Sequence, residues 1–190
     1  AINFKLDLKE LSLFLETQKP EISFRGVSLP AQNIKVYLDF LSLIKSDLKI
    51  KKASLVLYEL DISQLNKLSI VIKPSNFKSL LNNKIKQGKI ISEIEIFLSE
   101  EGIIENYIAK GSVKNLKIEI FDDLNFKNSN LKFFADKKDI LIKNIFGDIE
   151  NIKISDGDIK INLDNGIKIN SNFDSKVKFD KKFSSKFSEL

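Results

Sequence analysis

From Lys110 to Phe179 apolar and polar residues alternate, and turn-forming residues interrupt them at short intervals. The runs are Leu116-Lys117-Ile118-Glu119-Ile120, Leu131-Lys132-Phe133, Ile140-Leu141-Ile142, Ile152-Lys153-Ile154, Ile159-Lys160-Ile161-Asn162-Leu163 and Ile167-Lys168-Ile169. A period of two marks a strand with one wet face and one apolar face. Asp122-Asp123, Asp136 to Asp139, Phe146-Gly147-Asp148, Ser155 to Asp158 and Asp164-Asn165-Gly166 read as the turns between them. Asp-Gly and Asn-Gly turns between such runs predict a series of antiparallel hairpins.

The same period governs the start of the chain. Ile2, Phe4, Leu6 and Leu8 alternate, as do Leu11, Leu13 and Leu15, and then Ile34, Val36, Leu38 and Phe40. Pro20 closes the first hairpin, and Phe40 to Ile44 reads as a tight helical turn. Alternation resumes at Leu48-Lys49-Ile50 and at Leu55-Val56-Leu57, and later at Ile94-Glu95-Ile96 and from Ile104 to Ile108. One or two short helices are expected near residues 61–87. Ile62, Leu65 and Leu68 share one side of the first. In the second, Ser75 or Asn76 caps the start, Phe77, Leu80, Leu81 and Ile85 form a stripe, and Gly88 marks the stop. The expected fold is mainly β, an antiparallel meander of about a dozen strands forming a strongly twisted or curled sheet, an open β-groove. Its two parts are residues 1–87, with the helical cap, and residues 88–190, repetitive and continuous with the first.

Composition narrows the function classes. There is no Cys and no His among the 190 residues, which removes thiolate sites, the Ser-His-Asp triad and the commonest metal ligand. No catalytic residue and no metal ligand is therefore assigned, and no cofactor is expected. The net charge is +5, but Arg25 is the single Arg among the 31 basic residues. Bidentate reading of bases and phosphates uses Arg, so a nucleic-acid partner is not expected. No apolar run reaches the ~18 residues of a membrane-spanning helix, and no signal peptide is visible. The chain starts at Ala1 and lacks Met, so it reads as a processed chain or a piece of a longer one.

Two acidic pairs are candidates for chemistry. Glu93 and Glu95 share a strand face, and Asp156 and Asp158 bracket Gly157. Paired carboxylates serve glycoside hydrolysis or calcium binding. Glu93 and Glu95 also alternate with Ile94 and Ile96 as any wet face does, and Asp-Gly-Asp is common turn chemistry. At the C-terminus Phe179, Phe183 and Phe187 stand four apart among Lys178, Lys181, Lys182 and Lys186. On a helix they make a basic amphipathic face; otherwise they are a frayed end.

What remains is the apolar face of the hairpins. It packs on itself as a closed sandwich or barrel, or it stays open as a gutter for a ligand. An acyl chain suits a gutter. Each CH₂ leaving water gains about 0.8 kcal/mol, so ~16 carbons gain on the order of 10 kcal/mol.

The stretch from Pro20 through Leu29, Ile34 to Phe40, Leu41 to Lys45 and Leu48 to Leu55 resembles AsmA-family proteins. Ser46-Asp47 stands where that family often has Gly. Gly88-Lys89-Ile90, Gly111 to Leu116, Leu131 to Phe133 and Gly147 to Ile152 are similar to the repetitive β-region of AsmA-like and YhdP-like bacterial envelope proteins. The resemblance implies a non-enzymatic periplasmic module, anchored to the inner membrane by a segment outside this chain. Its β-groove would bind or conduct phospholipid acyl chains between membranes, in cell-envelope and outer-membrane biogenesis. The groove residues then expected are Leu116, Ile118, Ile120, Leu131, Phe133, Ile140, Ile142, Ile152, Ile154, Ile159, Ile161, Leu163, Ile167 and Ile169. The alternative is a structural or adhesive β-sandwich with a closed core and a protein-binding role.

Overall fold

The computed structural model describes residues 2–7, 12–24, 27–39, 42, 44–45, 47–62, 64, 84–121, 124–164 and 166–178. Twelve strands lie among them: β1 (Ile2–Asp7), β2 (Ser12–Gln18), β3 (Glu21–Phe24), β4 (Val27–Leu38), β5 (Ile50–Leu57), β6 (Leu60–Asp61), β7 (Ile85–Leu98), β8 (Ile104–Phe121), β9 (Leu124–Asp136), β10 (Asp139–Ile149), β11 (Ile152–Asn162) and β12 (Lys168–Val177). They form one sheet in the order β1-β2-β4-β5-β7-β8-β9-β10-β11-β12, with β3 added to β4 and β6 to β7. Every pairing is antiparallel. The expected antiparallel meander is therefore present, and it does not close: β1 and β12 are its two edges.

The tight turn near residue 42 is helical at Ser42 and Ile44, and its hydroxyl fastens it. Ser42 Oγ donates to the Asp39 carbonyl at 2.8 Å and accepts from Lys49 N at 3.1 Å. Ile62 and Gln64 are helical too; the remainder of both expected helices, through residue 83, lies outside the described residues. Ile85, Lys86 and Gln87, read as the end of a helix, instead begin β7. The border between residues 87 and 88 thus falls inside one strand.

Two expected turns are corrected. Phe146-Gly147-Asp148 lies within β10, and Ser155 to Asp158 lies within β11. Neither glycine takes a positive φ. Both are small because an aromatic ring occupies the space. A Cβ on Gly147 would stand 2.5 Å from Phe126 Cε2, and one on Gly157 would collide with the Phe173 ring. At Gly111 a Cβ would meet the Ile91 carbonyl oxygen first and then the Phe133 ring. The chain reverses instead at Glu150-Asn151, where Glu150 takes the left-handed φ of 49°.

The long strands stay amphipathic because they are bulged. Val113-Lys114-Asn115-Leu116, Phe126-Lys127-Asn128-Ser129 and Ile142-Lys143-Asn144-Ile145 each put two polar residues where strict alternation allows one. The register slips by one residue at each of these places. Asn115, Asn128 and Asn144 absorb the extra residue with φ of 51°, 53° and 54°, in the left-handed region that Asn tolerates. Residues on both sides of a bulge then face the same way, so Val113 and Leu116, three apart, are both buried. Side chains fix the bulges. Asn115 N donates to Asn130 Oδ1 at 3.1 Å, Asn128 Nδ2 to Asp148 Oδ2 at 3.1 Å and Ser129 Oγ to the Leu116 carbonyl at 2.8 Å.

Three buried clusters form on the apolar side. Ala31, Leu57 and Leu60 make the first; Ile62, Val113 and Leu116 the second; Phe126, Ile145 and Ile154 the third. Bulges sharpen the twist of a sheet, and a coiled sheet covers part of its own apolar face.

Candidate functional site

Residues directly opposite in an antiparallel pair point to the same face. One register line follows that rule across ten strands, through Ile2, Thr17, Ile34, Leu55, Ile94, Ala109, Ala135, Ile140, Ile161 and Ile169. Nine of these ten are apolar. At about 4.8 Å per strand, nine steps make a stripe of roughly 43 Å. A phospholipid acyl chain spans half of a ~30 Å hydrocarbon core, so the stripe is more than twice as long as one chain.

The adjacent line is its opposite in character. Asn3, Glu16, Lys35, Ser54, Glu95, Ile108 and Asp136 follow one another across seven strands on the polar face. Glu16 is buried there, bonded to Lys5 with Lys35 Nζ 4.0 Å away. The Lys5 hydrogen bond, then the charges of Lys5 and Lys35, hold its carboxyl below the usual carboxylate range against the opposing effect of burial. The ammonium of Lys52 lies over Tyr37, 4.3 Å from its ring centroid, and 6.0 Å from that of Phe97. This face is covered by its own long polar side chains.

Twelve of the fourteen groove residues expected from the sequence share the apolar face. Leu116, Ile118, Ile120, Leu131 and Phe133 belong to β8 and β9, and Ile140 and Ile142 to β10. Ile152, Ile154, Ile159, Ile161 and Ile169 follow in β11 and β12. Leu163 and Ile167 lie in the connection between β11 and β12 rather than on a strand. The sequence reading missed Ile34, Leu55 and Ile94, which carry the same stripe into the first part of the chain. It also missed Val113, Phe126 and Ile145. The repeated apolar-Lys-Asn signal identifies these three, since each adjoins a bulge.

The face is densest over the second and third clusters and opens toward the edges. Ile2 and Phe4 on β1 are each 70% exposed, and Ile169 on β12 is 62% exposed. Hydrocarbon is accessible at both edges, beside Thr17 opposite Ile2 and Ser171 two residues from Ile169.

The carboxylate pairs are engaged elsewhere. Glu93 meets Lys110 Nζ at 3.1 Å and Glu95 meets Lys52 Nζ at 3.5 Å, both on the polar face. Asp156 caps its own bulge by accepting from Gly157 N at 2.9 Å, and Asp158 accepts from Asn144 N at 3.3 Å. The Phe179 to Phe187 series lies outside the described residues.

No family model matches the chain, and no curated protein and no solved structure matches it.

Proposed function

We propose that the chain is a non-enzymatic module whose apolar sheet face binds or conducts phospholipid acyl chains. One observation carries this reading: a ten-strand apolar stripe on a sheet that does not close, so hydrocarbon surface is left beside solvent. An acyl chain laid on such a face gains burial from every CH₂ and needs no directional partner. That agrees with the make-up of the line itself, in which Thr17 is the one polar member among its ten residues. The resemblance to AsmA-like and YhdP-like proteins supports the same use. The setting it implies is the periplasm, with the parent protein anchored to the inner membrane and serving envelope biogenesis.

Mass spectrometry of protein purified without detergent tests the reading. Phospholipid is expected to co-purify and to be lost when Ile118 and Ile142 are both replaced by Glu in a still-folded variant. Lipid-free wild-type protein that also rejects added phospholipid supports instead the structural β-protein reading.

A further inference from the structure

The sheet ends on β12, whose outer edge has no strand beside it among the described residues. Lys178 N donates to the Asn151 carbonyl at 3.0 Å, and the Asp174 carbonyl accepts from Ser155 Oγ at 3.2 Å, so the even-numbered residues turn their backbone groups toward β11. These directions alternate along an antiparallel strand, and the one register slip in this pair lies on β11. Ile169, Ser171, Phe173, Ser175 and Val177 therefore point N–H and C=O outward. All ten residues of β12 are exposed, and none is proline. Such an edge is a template for a further strand.

Charge decides which strand fits. Lys168, Asp174 and Lys176 share the polar face of β12 with Asn170 and Asn172. Asp174 stands directly opposite Asp156 of β11, and like charges so placed oppose folding. Lys153 and Lys176, opposite each other, flank Asp174, yet neither forms an ion pair with it. Lys168 faces the neutral Asn162 and has no ion-pair partner among the described residues. Antiparallel pairing of β12 with β12 of a second copy is two-fold symmetric, so the residue on the axis fixes the register. An axis at Ser171 sets Lys168 opposite Asp174 of the other copy, twice over, with Asn170 opposite Asn172 and Ile169 opposite Phe173. Axes at Asn172, Phe173 or Asp174 set Lys168 against Lys176, Lys168 against Lys178, or Asp174 against itself. Among these central registers, the first alone joins unlike charges.

We infer that β12 is a dimer edge, paired antiparallel with β12 of a second copy about an axis at Ser171. The outward backbone groups of Ile169, Ser171 and Phe173 supply the ladder, and each Lys168 offsets the repulsion between Asp174 and Asp156. The two sheets then run on as one, with both apolar stripes on the same side. A single strand pair is smaller than a standard interface of about 1,600 Å², so the dimer is reversible and depends on concentration. The other edge is a poorer partner for β12: β1 has six residues, and its Lys5 is already bonded to Glu16.

Sedimentation velocity across a concentration series tests this. Wild-type protein is expected to pass from monomer to dimer and no further. Asp174→Lys should weaken the dimer about tenfold, roughly threefold for each of its two contacts. Its thermal midpoint should equal or exceed that of wild type, because Lys would then face Asp156, so weaker association is not misfolding. Lys168→Asp added to Asp174→Lys should restore the dimer. The chain has no Cys, so oxidative crosslinking reads the register directly. Asn170→Cys mixed with Asn172→Cys should crosslink, and either variant alone should do so far less. A monomer at every concentration, oligomers that keep growing as β1-to-β12 pairing would produce, no rescue by the charge swap, or efficient crosslinking of Asn172→Cys alone would each overturn the inference.

Discussion

Gly157 of β11 stands directly opposite Phe173 of β12, so close that a Cβ on the glycine would collide with the ring. The pair sits on the apolar face, where the missing side chain lets the ring lie flat on the outermost strand pair. Gly157→Ala is therefore expected to destabilise the protein by about 1–3 kcal/mol, the usual cost of overpacking. Urea unfolding measures it. The same substitution in a Phe173→Ala background should cost clearly less, because the atom it strikes has been removed. Equal costs in the two backgrounds would refute the steric account.

Asn128 provides the test of the bulge line. It holds φ at 53° between two buried neighbours on the same strand, Phe126 and Ser129. Asn128→Gly keeps that backbone accessible and loses only the bond to Asp148, so thermal unfolding should shift little. Asn128→Val forces a β-branched residue into the left-handed region, at a cost of about 1–2 kcal/mol or more. A valine variant as stable as the glycine one would mean that the bulge does not depend on this conformation.

The acid limit of stability should report Glu16. Its folded-state pKa lies below the ordinary value, first through the Lys5 hydrogen bond. A depressed carboxylate contributes stability that is present above its unfolded pKa, about 4.3, and is lost as pH falls through the folded value. Asp136 acts in the same direction, held down by the backbone N–H groups of Asp139 and Lys138. Thermal midpoints should stay level from pH about 7 to about 5 and fall below about 4.3. Glu16→Gln should be less stable than wild type at neutral pH, and the gap should narrow in acid. A gap that widens in acid would contradict the assignment.

Much of the sheet was legible in the sequence because alternation is a local property. Ile159-Lys160-Ile161 needs no knowledge of its neighbours to be a strand. The turn at Asp136 to Asp139 was legible too, since the Asp136 carboxylate accepts from the amides of Lys138 and Asp139. Gly147 and Gly157 were misread because a glycine beside Asp signals a turn only when it needs a positive φ. Here the reason for glycine is a ring on another strand, which no local window contains. Lys-Asn breaks likewise look like strand ends, whereas in the fold they are single extra residues that keep the apolar face continuous. The stripe through Ile34, Leu55 and Ile94 depends on register between distant strands, so it emerged only from the pairing.

The central claim is that acyl chains occupy the apolar face, and adjacent positions on β8 test it most directly. Ile118 points to that face and Lys117 to the other. A photo-reactive amino acid placed at each in turn, in protein purified with its bound lipid, should yield phospholipid adducts at position 118 and essentially none at 117. Equal adducts at both positions, or none at 118 while lipid is demonstrably bound, would contradict the account.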